Sequence, residues 1–281
     1  MDAQTSPRAR QHPAPANFGA ELRNWRQRRQ ASQMSLALAA GVSARHLSFL
    51  ETGRSNPSPA VIHALAEELD IPLRERNQLL AAAGFAPRYS EHALSGAEMA
   101  GVREALSRLL VAHDPYPGIV VDRQWNVVMH NRAGDLLRDL LPGWLKDDGL
   151  NVFRASLHPE GFARLTANFD EWSRIILALL SRSVAASADP WLRALEEEVR
   201  AYPNVQAVLA RDAPVGTRAD ALLVPCVLDL PAGRLSMFTT ITSFGTPRDV
   251  TLDELCVELF YPTDATSEAM LRQTQKGDGG N

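Results

Sequence analysis

Between positions 18 and 83 apolar residues recur at intervals of three and four, interrupted at Gly41 and Gly53 and ended by Gly84. Phe18, Leu22 and Trp25 fall at i, i+4 and i+7. That spacing predicts a helix over 18–30 with Arg23, Arg26 and Arg28 off its buried stripe. Ser32 caps a second helix with Leu36, Ala37 and Ala40 on one face, which stops at Gly41. Ser43 caps a third, with Leu47 and Leu50 inward, which Gly53 ends. Ser58-Pro59 opens a fourth helix through Leu69, and Pro72 a fifth that runs to Ala83.

The pattern changes after residue 94. Met99, Val102, Leu106, Leu109 and Leu110 mark a helix. Ile119–Val121 and Trp125–Met129 read as strands joined at Asp122-Arg123, with a helix from about Arg132. Residues 160–182 and 189–202 read as helices. The first of these carries Phe162, Leu165, Phe169, Trp172, Ile176 and Leu179 at helical spacing. Leu222–Leu230 and Leu235–Ser243 predict a hairpin across a Pro-Ala-Gly turn, and Leu255–Tyr261 a last strand. Residues 1–17, rich in Pro, Ala, Arg and Gln without periodicity, read as a disordered arm, and residues 265–281 as a polar tail.

Charge divides the chain where the pattern does. Residues 1–90 hold 11 Arg, no Lys and 7 acids, a balance of +4, and the remainder carries −8. A basic module joined to an acidic one fits a nucleic-acid-binding domain fused to something different. No apolar run reaches membrane-spanning length and the N-terminus lacks a signal-peptide core, so a cytoplasmic protein is expected. Cys226 and Cys256 have neither disulfide nor metal-ligand spacing and read as core residues.

Two helices joined by a short Gly-containing turn, among other helices, predict a helix-turn-helix. Small Ala37 and Ala40 allow a close crossing, and Gly41 tolerates the tight turn. Ala44, Arg45, Ser48 and Phe49, with His46 at the margin, then point outward from the third helix. The N-terminal half of that helix is the part that enters a major groove. Arg45 suits a guanine edge. Ser43 and the free amides near it suit a phosphate, as does Arg54 past the helix end. Gln33 stands where an amide braces either a phosphate or the recognition helix. One short helix reads few base pairs, so a homodimer on two half-sites is expected, paired through the larger acidic region.

From Phe18 to Pro87 these residues resemble the five-helix Cro/C1-like domain of the xenobiotic-response-element class of bacterial regulators. GVSARHLSFLETGRSNPS followed by LAEELDIPLRERNQLLAAAGFAP is similar to the MmyB-like subfamily. PYPGIVVDRQWNVVMHNRAGDLL resembles the opening strands of that subfamily's PAS-like domain. It carries the W-N/D-x-x-x-x-N motif at Trp125, Asn126 and Asn131. RLSMFTTITSFGTPRDVTLDELCVELFYPTD resembles its closing strands, whereas 180–220 offers few landmarks. The resemblance implies an all-α five-helix DNA-binding domain over 18–88 and an α/β PAS-like ligand-binding domain over 95–264. It also implies a small apolar ligand, with a bound fatty acid as the type and no cofactor required.

Trp125, Met129, Phe169, Trp172, Ile176, Met237 and Phe238 would supply apolar walls for that ligand, although such stripes more often form plain core. Asn131 reads more readily as a cap than as a ligand contact. No GxSxG, P-loop or HExxH motif points to an enzyme. The rival readings are a haem or flavin sensor using His113, His130 or His158, and a C-terminal domain that binds a protein partner.

Overall fold

The computed structural model describes residues 17–147, 149–187, 189–211 and 223–276. The arm read over 1–17 therefore lies outside the described residues except for Asn17, as do 212–222 and the last five positions. The chain divides into two compact units, Met1–Ser90 and Glu91–Asn281.

The described residues of the first unit form five helices: α1 Phe18–Arg28, α2 Gln33–Ala39, α3 Ala44–Glu51, α4 Pro59–Glu68 and α5 Leu73–Ala82. Side-chain oxygens of Asn17, Ser32, Ser43 and Ser58 cap the first four, each satisfying an amide that the helix leaves unpaired. Leu22, Leu47, Leu50, Ile62, Leu65 and Leu79 fill the centre. Helix α1 crosses α3 closely at Gly19. A Cβ there would stand 2.5 Å from the Leu50 carbonyl oxygen and 2.8 Å from that of Glu51. Gly19→Ala should therefore push α1 off α3 and cost about 1–3 kcal/mol as an overpacked contact. A urea melt of the variant checks this, and an unchanged midpoint would contradict it.

The second unit continues with α6 Ala100–His113, β1 Gly118–Val121, β2 Val127–His130, α7 Arg132–Arg138, α8 Trp144–Asp147 and α9 Val152–Leu157. A 3-10 turn at Phe162–Arg164 leads to α10 Phe169–Ser187, α11 Pro190–Arg200 and α12 Pro203–Leu209. Then come β3 Cys226–Leu230, β4 Gly233–Ser243, α13 Val250–Asp253, β5 Cys256–Pro262 and α14 Ala265–Lys276.

All neighbouring strands are antiparallel, in the order β2-β1-β5-β4-β3, an α/β arrangement of the PAS-like kind. Helices α7 to α12 carry the chain from one edge of the sheet to the other. On one face, Leu106 and Leu110 of α6 pack with Val120, Leu255 and Val257. On the other, Phe153, Trp172, Ile176, Leu192 and Leu195 pack with Leu228, Leu235 and Met237.

Two sequence readings are corrected here. The helix expected over 160–182 begins only at Phe169. Thr166 instead bridges Leu228, and the Leu165 carbonyl accepts from Asp229 N at 2.7 Å, so strand-like contacts to β3 interrupt the helical pattern. The polar tail read from 265 is helical through Lys276. Asp264 accepts from the Ser267 amide at 2.7 Å, and Ser267 and Leu271 are buried.

Candidate functional site

The turn between α2 and α3 closes with two backbone bonds, Gly41 N to Leu38 O and Val42 N to Ala37 O, and Gly41 at φ +68°. This is the Schellman geometry, in which a side chain at the left-handed position would be strained. The Ser43 hydroxyl accepts from His46 N at 3.1 Å, so it serves as the cap of α3. Leu47 and Leu50 anchor α3 with no exposed surface.

Ser43, Arg45 and Arg54 are exposed, and Ala44, His46, Ser48 and Phe49 are half-buried along the same outward half of α3. The Arg45 guanidinium carbon lies 5.3 Å from the centre of the Phe49 ring, which steadies it over an apolar platform. Gln33 does not reach outward. Its Nε2 donates to Glu51 Oε2 at 2.8 Å, so it braces the recognition helix.

Glu51 is the residue that sequence reasoning missed. Its carboxylate is buried at the end of α3 and takes a two-pronged grip from Arg26, Nε at 2.6 Å and Nη2 at 2.8 Å. One carboxylate thus ties α1, α2 and α3 together. Burial alone would raise its pKa, but the Arg26 and Gln33 hydrogen bonds outweigh that and hold it below the usual range. The available signal was position: Glu51 falls four residues after Leu47, on the inward stripe.

In the second unit a cavity of about 100 Å³ opens on the face of the sheet opposite α6. Of the residues expected to line it, Trp172, Ile176 and Met237 do so, joined by Ile119, Val127 and Phe260. The other five expected residues are elsewhere. Met129 packs with Val120, Leu106 and Leu110 on the opposite face of the sheet. Phe238 stacks on Tyr261 with ring centres 5.2 Å apart. Phe169 packs against the core without reaching the cavity. Trp125 sits at a left-handed turn, φ +63°, with its ring 5.1 Å from that of Phe153.

Asn131 is a buried junction. Its Oδ1 accepts from Gly118 N and Gly134 N, both at 2.9 Å, and its Nδ2 donates to Leu110 O and Tyr116 O. Asn126 donates to Asp122 at 3.0 Å and accepts from Asn151 at 3.1 Å. The Trp-Asn-Asn motif therefore builds the frame around the cavity and lends no side chain to its lining. His113, His130 and His158 also lie outside the lining. His113 bonds the Phe260 carbonyl, and His158 stands edge-on to Trp144 and Tyr202.

Among the unforeseen lining residues one is acidic. Glu258, on β5, is 5% exposed and faces the apolar cavity, where burial pushes its carboxyl up to about 7.

A presented helix with a basic, capped N-terminal half in one unit, and an apolar cavity under a sheet in the other, define a DNA-binding regulator with a separate ligand-binding domain. The family described as a helix-turn-helix domain matches residues 17–79, and that described as the MmyB-like transcription regulator ligand binding domain matches 102–273. The chain belongs to the MmyB-like transcription regulators. No curated protein matches the chain. A solved structure titled "Structure of an RNA-binding Light-Oxygen-Voltage Receptor" aligns at 14% identity and a TM-score of 0.23, too slight a likeness to carry an argument. The alignment covers 92% of this chain and 63% of that one. Among the described residues, no helix is long and apolar enough to cross a membrane.

Proposed function

We propose that the chain reads operator DNA of the Cro/C1 type through the outward half of α3, as a cytoplasmic homodimer, under the control of a small apolar ligand held by the second unit. The observation that carries the first part is Arg45. It is exposed at the N-terminal half of a helix whose inward residues are fully buried, with no acidic side chain pairing with it among the described residues. Exposed Arg54 follows the helix, where a phosphate contact is expected. The apolar lining of Trp172, Ile176 and Met237 supports the second part. An apolar cavity of roughly 150 Å³ accommodates benzene in another protein, so the smaller room here suits a short chain, and a long acyl chain would have to enlarge it. Ligand changes DNA binding only by binding the two regulatory states unequally.

The test uses an operator selected from random duplexes and read by fluorescence anisotropy. Arg45→Ala should lose about 1–3 kcal/mol and relax preference at one base pair. Arg54→Ala should weaken all duplexes alike and flatten the salt dependence. Wild-type binding by both variants would remove α3 as the reading face. Light scattering that shows a monomer, with and without the operator, would remove the dimer.

A further inference from the structure

The sheet places Glu258 where a core residue belongs. Along β5, Val257 and Leu259 face the α6 side, and Cys256 and Phe260 pack toward the core that borders the cavity. Period-two alternation therefore turns Glu258 into the cavity between them. Its Oε2 has no hydrogen-bond partner among the described residues and almost no accessible surface, so a molecule in the cavity meets that oxygen once the side chain turns. The hydroxyl of Thr239 bonds the same side chain but leaves that oxygen unmet.

The other chargeable groups nearby do not meet it either. Arg138, the cationic residue of the lining, donates to Asp135 at 3.4 Å. Burial holds the Cys226 and Cys256 thiols in their neutral form, with the Glu258 charge acting in the same direction. A buried acceptor left unmet is costly, and a leucine here would pack without that cost. The position has a physical reason if the occupant of the cavity supplies the missing donor.

We propose that the cavity takes a short apolar molecule headed by a hydrogen-bond donor, an amine or an alcohol, and that Glu258 is the acceptor that receives it. The proposal rests on the reading of the second unit as ligand-binding and names the head group. Once Glu258 is ionised, an ionised carboxylic acid would bring a second acceptor against the first, so above about pH 7 a fatty-acid head is the one this site disfavours. Amine and alcohol share the donor, and they differ in whether Glu258 meets a full positive charge.

The experiment titrates the full chain at about pH 8.5, where Glu258 is ionised and hexylamine is still charged, by calorimetry with hexylamine, hexanol and hexanoate, which share one chain length. Amine or alcohol should bind at least about tenfold more tightly than hexanoate, as expected for one hydrogen bond to a charged or chargeable acceptor. Glu258→Leu should abolish that preference, and Glu258→Gln should weaken the amine more than the alcohol. Thermal melts of the unliganded variants show that each remains folded. Hexanoate binding as well as the other two, with no effect of either variant, would overturn the head-group assignment and leave the cavity reading intact. Failure of all three to bind the folded wild type would overturn both.

Discussion

Replacement of Glu51 by alanine should unfold the DNA-binding unit more readily than any surface change and abolish operator binding with it. The Glu51 carboxylate is the shared acceptor for Arg26 and Gln33, and the Arg26–Glu51 pair is largely withdrawn from water. Removing one partner of a buried pair leaves the other charge uncompensated, at roughly 3–5 kcal/mol. Among the described residues, Arg26 then keeps only its bond to the Ala31 carbonyl at 3.0 Å. Arg26→Leu with Glu51→Leu should recover part of the loss, because neither charge is then stranded. Urea unfolding read by hydrogen exchange over residues 18–82 measures the effect on this unit alone. A single variant within about 0.5 kcal/mol of wild type, the ordinary range for surface substitutions, would mean that the pair holds nothing together.

The second large effect concerns pH. The folded Glu258 carboxyl titrates at about 7, above its ordinary 4.5. Below pH 4.5 the folded and unfolded chains both carry the proton, and the residue adds no pH-dependent cost. As pH rises from there, the unfolded chain releases its proton first, so the second unit loses stability. The loss is complete above about pH 7 and on the order of 3 kcal/mol. Glu198, which Arg154 holds below the usual range, acts in the opposite sense by losing its contribution on acidification. The difference between wild type and Glu258→Gln isolates the Glu258 part. Four of the five tryptophans lie in the second unit, so their fluorescence in urea melts at pH 5 and pH 8 reports mainly on it. Equal differences at the two pH values would show that Glu258 is an ordinary carboxylate.

Glu51 and Glu258 share a feature that explains why neither was legible from the sequence. Each is a single acid within an otherwise apolar pattern, and its meaning depends on partners distant along the chain. Arg26 is 25 residues from Glu51, and the cavity before Glu258 is walled by residues drawn from β1 to β4 and α10. In the same way, a terminal segment with few apolar residues looked like a tail until Leu271 had a sheet to pack on.

Local chemistry determined the first unit. A serine before each of α2, α3 and α4, Gly41 at the turn and the three-and-four spacing of leucines act within a few residues of one another. These signals placed the helices and the outward face of α3 before any fold was known. The contrast with the basic N-terminal part was equally visible, since charge needs no partner to be counted. The placement of the cavity residues was a tertiary decision. Met237 and Phe238 are neighbours on one strand and cannot both face the cavity, because side chains alternate. Pairing β4 to β3 at Met237↔Cys226 set Met237 on the core side and left Phe238 to Tyr261. Pairing β2 to β1 at Met129↔Val120 sent Met129 to the α6 face. Composition supplies apolar side chains for a pocket, but register chooses which of them line it, and register is fixed only when strands far apart in the chain meet.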